Sequence, residues 1–235
     1  MAKLHAALAL PNGCLLARLS ASEFQRLSPR LKLVSLDFNA VLYEPRALVD
    51  YVYFPLSGVV SAVALMLDGT AIEVATIGHE GMVSIGAFIG VESSADRMVV
   101  QVPGEALRMA TTDLQSETRS DSPLRRLLIR YHGAFLKQIS QAVACNGLHP
   151  IQQRCCKWIL MTRDRVNADE FPLTQEFLSH MLGVRRASVT EVLRPLQDAN
   201  LIRNWRGNVT VLDRKNLEAA ACECYRITKE EFDRI

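Results

Sequence analysis

Residues 173–213, LTQEFLSHMLGVRRASVTEVLRPLQDANLIRNWRGNVTVLD, constrain this chain more than any other stretch. Phe177, Leu178, Met181 and Leu182 are spaced so that all four lie on one face of a helix. Thr174 stands before that helix, where a hydroxyl accepts from an orphan backbone N–H of the first turn. Gly183 stands after it, where the chain must turn and a residue without Cβ is least strained. A second helix over residues 184–199 turns Val184, Val189, Val192, Leu193 and Leu196 inward, and leaves Arg185, Arg186, Ser188, Thr190 and Glu191 outward. Leu201-Ile202-Arg203 and Val209-Thr210-Val211 then read as strands around a turn at Arg206-Gly207-Asn208. Helix, glycine turn, helix and hairpin make a winged helix-turn-helix, whose second helix enters the DNA major groove.

That geometry gives the outward residues chemical meaning. An arginine can donate two parallel hydrogen bonds to guanine O6 and N7, and a glutamate can accept from cytosine N4. Arg185, Arg186, Ser188, Thr190 and Glu191 are therefore candidate base contacts, with a solvated helix face as the plainer reading. Thr174, Gln175, Arg203 and Arg206 suit phosphates, which set register without reading sequence. Charge is distributed to match: residues 1–120 hold 9 basic and 12 acidic side chains, and residues 121–235 hold 18 and 13. A basic C-terminal half is a mild footprint of a phosphate-backbone binder. Pro195 falls late in the second helix, where it removes a backbone donor and favours a kink.

Upstream the texture differs. Ser22-Glu23-Phe24-Gln25 reads as a capping box opening a short helix to about Leu27. Between Leu31 and Met109 come short β-rich runs at 50–54, 59–66, 71–77, 98–102 and 106–109, with turns at Pro55–Gly58 and Asp68-Gly69. Short strands at regular spacing, without interleaved long helices, predict an antiparallel sandwich or jelly roll. Ser120-Asp121-Ser122-Pro123 opens a helix running to about Cys145. Its Leu124, Leu128, Tyr131, Phe135, Ile139 and Ala142 follow near-heptad order, widened by Leu127, Ala134 and Val143 and interrupted by Gln138. Such a stripe is either buried within its own domain or the seam of a dimerising coiled coil. Pro150 breaks the helix, residues 151–165 form the next, and 167–171 read as a polar connection.

Other functions are disfavoured. No apolar run approaches the roughly 18 residues that span a bilayer. Lys3 precedes an apolar run that holds His5 and meets Pro11-Asn12, a poor secretory signal, so a cytoplasmic location is expected. Six cysteines without paired spacing fit a reducing compartment. Cys155-Cys156 read as buried structural thiols, and Cys222-x-Cys224 lacks a second pair or an evident histidine partner, so no metal site is expected. His5, His79, His132, His149 and His180 are scattered, and Val83 stands where a zinc-protease helix following His79-Glu80 would need histidine. There is no nucleophile elbow, P-loop or dinucleotide fingerprint, so no catalytic residue is assigned.

Leu173-Thr174-Gln175-Glu176, Leu182-Gly183-Val184, Ser188-Val189 and Leu201-Ile202 together resemble the Crp/Fnr superfamily of bacterial transcription regulators, and the looser likeness spans nearly the whole chain. The tail Ala221-Cys222-Glu223-Cys224-Tyr225 is similar to that of cysteine-tailed members. The resemblance implies an α+β architecture. A cyclic-nucleotide-binding-type β-roll (double-stranded β-helix) would occupy 1–120, a dimerisation helix pairing two protomers 121–146, and the winged helix 147–235. It implies double-stranded DNA, a second copy and RNA polymerase as partners, and no membrane. Arg186 falls at a guanine-reading arginine of the cyclic-AMP-responsive members, whereas Ala187 replaces a base-reading glutamate and Glu191 an arginine. The docking mode should carry over, but not the target sequence. The effector pocket would be Gly78, His79, Glu80, Gly81, Met82, Ala95, Asp96 and Arg97. There the family's phosphate-gripping Arg-Ser pair falls on Ala95-Asp96, and an aspartate repels a cyclic phosphate. A cyclic nucleotide is therefore disfavoured as cofactor, and a β-roll with another effector or none is expected. Cys14 alone at the N-terminal side cannot supply the ligands of an oxygen-sensing iron–sulfur cluster. The reading is a homodimeric, sequence-specific DNA-binding regulator. Its alternatives are a ligand-gated cyclic-nucleotide receptor of the same fold and a module using the winged helix for protein contact.

Overall fold

The structure, a computed structural model, describes residues 10–235, so the expectations resting on Lys3 and His5 lie outside the described residues. In chain order the elements are α1 (Ala21–Leu27), β1 (Lys32–Leu36), β2 (Val41–Tyr43), β3 (Tyr51–Pro55), β4 (Val59–Leu65), β5 (Ala71–Ile77), β6 (Arg97–Val102) and β7 (Gly104–Ala110). Next are α2 (Thr111–Thr118), α3 (Pro123–Leu148), α4 (Ile151–Val166), β8 (Glu170–Pro172), α5 (Gln175–Leu182) and α6 (Arg186–Asp198). The chain closes with β9 (Ile202–Trp205), β10 (Asn208–Val211), α7 (Arg214–Ala220) and α8 (Cys224–Asp233). This is the expected α+β order of antiparallel sheets, long helix and winged helix-turn-helix. None of the described helices is long and apolar enough to cross a membrane.

Two compact units result, and their limits differ from the boundaries expected at 120 and 146. One comprises Met1–Val60 with Ile77–His132, the other Ser61–Thr76 with Gly133–Ile235. The division thus falls within α3, and the hairpin of β4 and β5 belongs with the C-terminal elements.

In the first unit β7 lies between β1 and β3, paired antiparallel to both, with Leu107 opposite Leu33 and Phe54. A first strand beside a last one is the closure a jelly roll requires. Alternation places Val52 and Phe54 in the core and leaves Tyr51 outside, where the Arg108 guanidinium lies 4.2 Å from its ring centroid. β2 pairs with β6, Val41 opposite Val99. The helix-opening signal near residue 22 is displaced by two positions: Ser20 is the cap, its hydroxyl accepts from Glu23 N, and the Glu23 carboxylate accepts from Ser20 N at 3.2 Å.

The long helix corrects a further expectation. Leu124, Leu128, Tyr131 and Phe135, placed in a dimer seam by the family resemblance, are buried within the single chain, and Ile139 and Ala142 are half-buried. The stripe serves the chain's own core. Gln138, read as an interruption, is buried too, and its amide donates to Thr76 O at 3.0 Å. Arg165, itself buried, donates to Gln138 Oε1 at 3.0 Å and to Thr76 O at 3.4 Å.

Glu73 of β5 ties the hairpin to α4, accepting from Trp158 Nε1 at 2.9 Å and from Ser61 Oγ at 2.7 Å. Enclosure pushes its carboxyl up to about 7, against the opposing effects of Ser61, Trp158, Lys157 and Arg165. The unfolded chain loses this proton near the ordinary value of 4.5 while the fold retains it to about 7, so rising pH across that window destabilises the fold. Compared with Glu73→Gln, the wild type should lose up to about 3 kcal/mol between pH 4.5 and 8. Urea unfolding of both proteins across that range measures the difference, and a gap independent of pH would contradict it.

Candidate nucleic-acid interface

α5 and α6 form as their residues dictate. Thr174 Oγ1 accepts from Phe177 N at 3.1 Å, and Leu178, Met181 and Leu182 are buried with Phe177 half-buried beside them. The Phe177 ring meets Trp158 of α4 edge-on, with centroids 6.4 Å apart. Gly183 has φ +62°, the left-handed conformation that ends α5, and its N–H returns to His180 O at 3.1 Å. A Cβ at this position would stand 2.9 Å from Ile72 Cδ1, so the turn and the β5 side chain fit closely.

α6 begins at Arg186 with Arg185 as its N-cap, slightly inside the expected 184–199, so Val184 belongs to the turn. Val189, Leu193 and Leu196 are buried while Val192 is half-buried. On the other side Arg185, Arg186, Thr190 and Glu191 are exposed and Ser188 is half-buried. The five candidate base contacts thus share the first two turns of one helix. Thr190 Oγ1 donates to Gln175 Oε1 at 3.2 Å, joining a base candidate to a phosphate candidate across the turn. α6 continues through Pro195 to Asp198; Pro195 has no N–H to offer the carbonyl of Glu191, an exposed residue.

The wing closes on two residues, Arg206 (φ +48°) and Gly207 (φ +81°), with Trp205 opposite Asn208. Positive φ at both positions is the turn that matches strand twist. Arg203 and Arg206 are exposed, and the Arg206 guanidinium lies 5.5 Å from the ring centroid of Trp205, an exposed indole that the sequence reading did not single out. Residues 167–171, expected as a connection, contain part of β8, which pairs with β10 (Phe171 opposite Val209) and makes the wing three-stranded. Three residues are too short a run to give a strand signal.

The expected effector positions are engaged internally. Leu15 N donates to His79 O at 2.8 Å, Gly78 N donates to Glu80 Oε1 at 3.3 Å, and the buried Tyr131 hydroxyl donates to Met82 O at 3.2 Å. A Cβ on Gly81 would stand 2.5 Å from that hydroxyl. Arg97 pairs with Glu44 at 3.0 Å; Ala95 precedes the half-buried Asp96, whose carboxyl is raised by desolvation.

The cysteine reading changes most. All six are free and buried, as expected for Cys155 and Cys156, whose thiols burial pushes up. Cys222 and Cys224, however, do have partners: their ligand atoms and those of Cys145 and His149 all lie within 4.8 Å of one another. Cys145 stands 77 positions before Cys222 and closes the last turn of α3, a pairing no local spacing could reveal.

Residues 153–220 match the model of the Crp-like helix-turn-helix domain. Among solved structures, FixK2 from Bradyrhizobium japonicum is 15% identical with a TM-score of 0.67, over 82% of this chain and 98% of that one. The c-di-GMP-responsive global regulator CLP from Xanthomonas campestris is 16% identical with a TM-score of 0.67, over 82% and 99%. A Crp/Fnr-family transcriptional regulator from Thermus thermophilus is 20% identical with a TM-score of 0.66, over 81% and 98%. The chain shares the fold of Crp/Fnr transcription regulators across nearly the full length of those proteins. No curated protein matches it by sequence.

Proposed function

We propose that this chain is a homodimeric, sequence-specific DNA-binding transcription regulator. One observation carries the reading: the first two turns of α6 present Arg185, Arg186, Thr190 and Glu191 outward while the opposite side is buried in a Crp-like domain. Arg186 and Arg185 supply bidentate guanine contacts, Glu191 accepts from cytosine, and Ser188 and Thr190 complete the reading edge. Thr174 and Gln175 at the start of α5, with Arg203 and Arg206 on the wing, hold phosphates and fix register. RNA polymerase is the further partner that a transcription regulator of this fold addresses.

Dimerisation uses the side of α3 that the fold leaves uncovered. Ile129, Leu136 and Val143 are 51%, 50% and 71% exposed and recur every seven residues. A strict seven-residue apolar repeat on an exposed helical face is the seam of a left-handed coiled coil, and a second copy of α3 satisfies it. Two recognition helices related by that two-fold axis read a pseudo-palindrome with half-sites about 34–36 Å apart, one helical turn. An effector at the β-roll would act by biasing the arrangement of residues 147–150, where α3 gives way to α4 at Pro150. Arg97 paired with Glu44 and an aspartate at position 96 disfavour a cyclic nucleotide held by its phosphate.

Leu136→Lys places a charge at the centre of the seam while leaving the buried stripe intact. Sedimentation should show the wild type as a dimer and the variant at least tenfold weaker in association, with circular dichroism unchanged. An unaltered dimer would place the interface elsewhere. Arg186→Ala should relax preference at one base pair of each half-site by about 1–3 kcal/mol. Competition binding with single-base variants of a bound site measures this, and unchanged base preference would remove Arg186 from the reading edge.

A further inference from the structure

We propose that Cys145, His149, Cys222 and Cys224 bind one zinc ion in a closed tetrahedral site that fastens the end of the central helix to the C-terminal tail. Three separated places in the chain converge there: the last turn of α3, the residue before Pro150, and the α7–α8 link with the first residue of α8. Cys145, Cys222 and Cys224 are 0%, 4% and 0% exposed, and His149 is half-buried.

Two of the six separations are those of ligands on a single ion, and all six lie within 4.8 Å. With Zn–S near 2.3 Å and Zn–N near 2.0–2.1 Å, the edges of a tetrahedron are about 3.6–3.8 Å. Cys145 Sγ and Cys222 Sγ are 3.6 Å apart, and Cys224 Sγ and His149 Nδ1 are 3.4 Å apart. A multinuclear iron–sulfur cluster would spread its ligands over several irons and so hold them farther apart. Three soft sulfurs and one imidazole select zinc over the hard cations.

The surroundings add an independent sign. His149 turns Nδ1 toward the thiols while Nε2 lies 3.3 Å from Glu223 Oε1. A metal-bound histidine commonly donates its second ring N–H to a carboxylate, which fixes the tautomer that leaves the other nitrogen free to ligate. Gln141 Nε2 donates to Cys224 Sγ at 3.2 Å, a contact that favours thiolate. On binding, the ion displaces the three thiol protons to solvent, leaving three thiolates, a neutral imidazole and a dication with net charge −1. Arg154 and Lys157 of α4 act electrostatically on Cys145 and offset that charge.

The placement gives the ion a task. Cys145 and His149 bracket residues 146–148, where α3 ends, and Pro150 caps α4. With both pinned to the tail, the end of α3 cannot swing independently of α7 and α8. Zinc would therefore set the rigidity of the α3–α4 joint, and this holds whether or not the domain binds DNA.

The test uses the full chain purified under reducing conditions without chelator. Metal analysis after desalting should find about one zinc per chain. Cobalt added to the stripped protein should give the visible bands of tetrahedral Co2+ together with thiolate-to-cobalt charge transfer. Cys224→Ser should weaken cobalt binding at least tenfold, Glu223→Gln about tenfold, and Cys14→Ala not at all. Chelation of the wild type should lower Tm and zinc should restore it, a reading that does not depend on any variant folding. Zinc well below stoichiometric with no tetrahedral cobalt spectrum would overturn the proposal. So would iron with acid-labile sulfide, cobalt binding indifferent to Cys224→Ser, or a Cys145–Cys222 disulfide in the protein as isolated.

Discussion

Arg165 is the point on which the C-terminal unit turns. A guanidinium taken out of water is costly unless its donors are satisfied. Here it meets Gln138 Oε1 of α3 and Thr76 O of β5, while Met161 O of its own helix accepts at 3.2 Å. Its cationic face lies 5.7 Å from the Phe232 ring centroid of α8. One side chain of α4 thereby addresses a hairpin, the central helix and the last helix. Gln138 completes the arrangement by donating to the same Thr76 carbonyl. Such networks are satisfied together or not at all, so they specify one docking of α4 more sharply than apolar contact does.

α4 in turn carries the winged helix. Trp158 donates to Glu73 and meets Phe177 of α5, while Arg154 Nη2 donates to Leu182 O at 2.6 Å at the end of α5. Asp164 accepts from Tyr225 at 2.6 Å and pairs with Arg214 at 2.9 Å, which holds the tail. Burial of Val189, Leu193 and Leu196, each contributing about 1.5–3 kcal/mol, seats α6 with its arginine-bearing first turns outward. The candidate reading edge is therefore the remainder after the inward contacts are made.

The helix-turn-helix and its wing were legible because their signals are local. Thr174 caps, Gly183 takes a positive φ, and Leu178, Met181 and Leu182 repeat at helical spacing; all three signals act within a few residues. What stayed hidden depends on distant partners. The stripe of Leu124, Leu128, Tyr131 and Phe135 has the spacing of a seam but covers the chain's own core, and spacing cannot say which surface a helical face meets. Its shallower neighbours Ile129, Leu136 and Val143 carry the same seven-residue repeat and are the ones left open. Gln138 looked like a defect because its bonds reach Thr76 and Arg165. The histidine that Cys222 and Cys224 lacked in sequence lies at position 149, brought beside them by the packing of the tail.

Selection of bound duplexes from a random DNA pool by the full-length protein, with and without cyclic AMP, tests the central claim most directly. A two-fold symmetric DNA reader should enrich an inverted repeat with half-sites about one helical turn apart, equally in both conditions. No enrichment in either condition, or weak binding insensitive to salt, would contradict DNA reading, because neutralising phosphates releases counterions and makes such binding strongly salt-dependent.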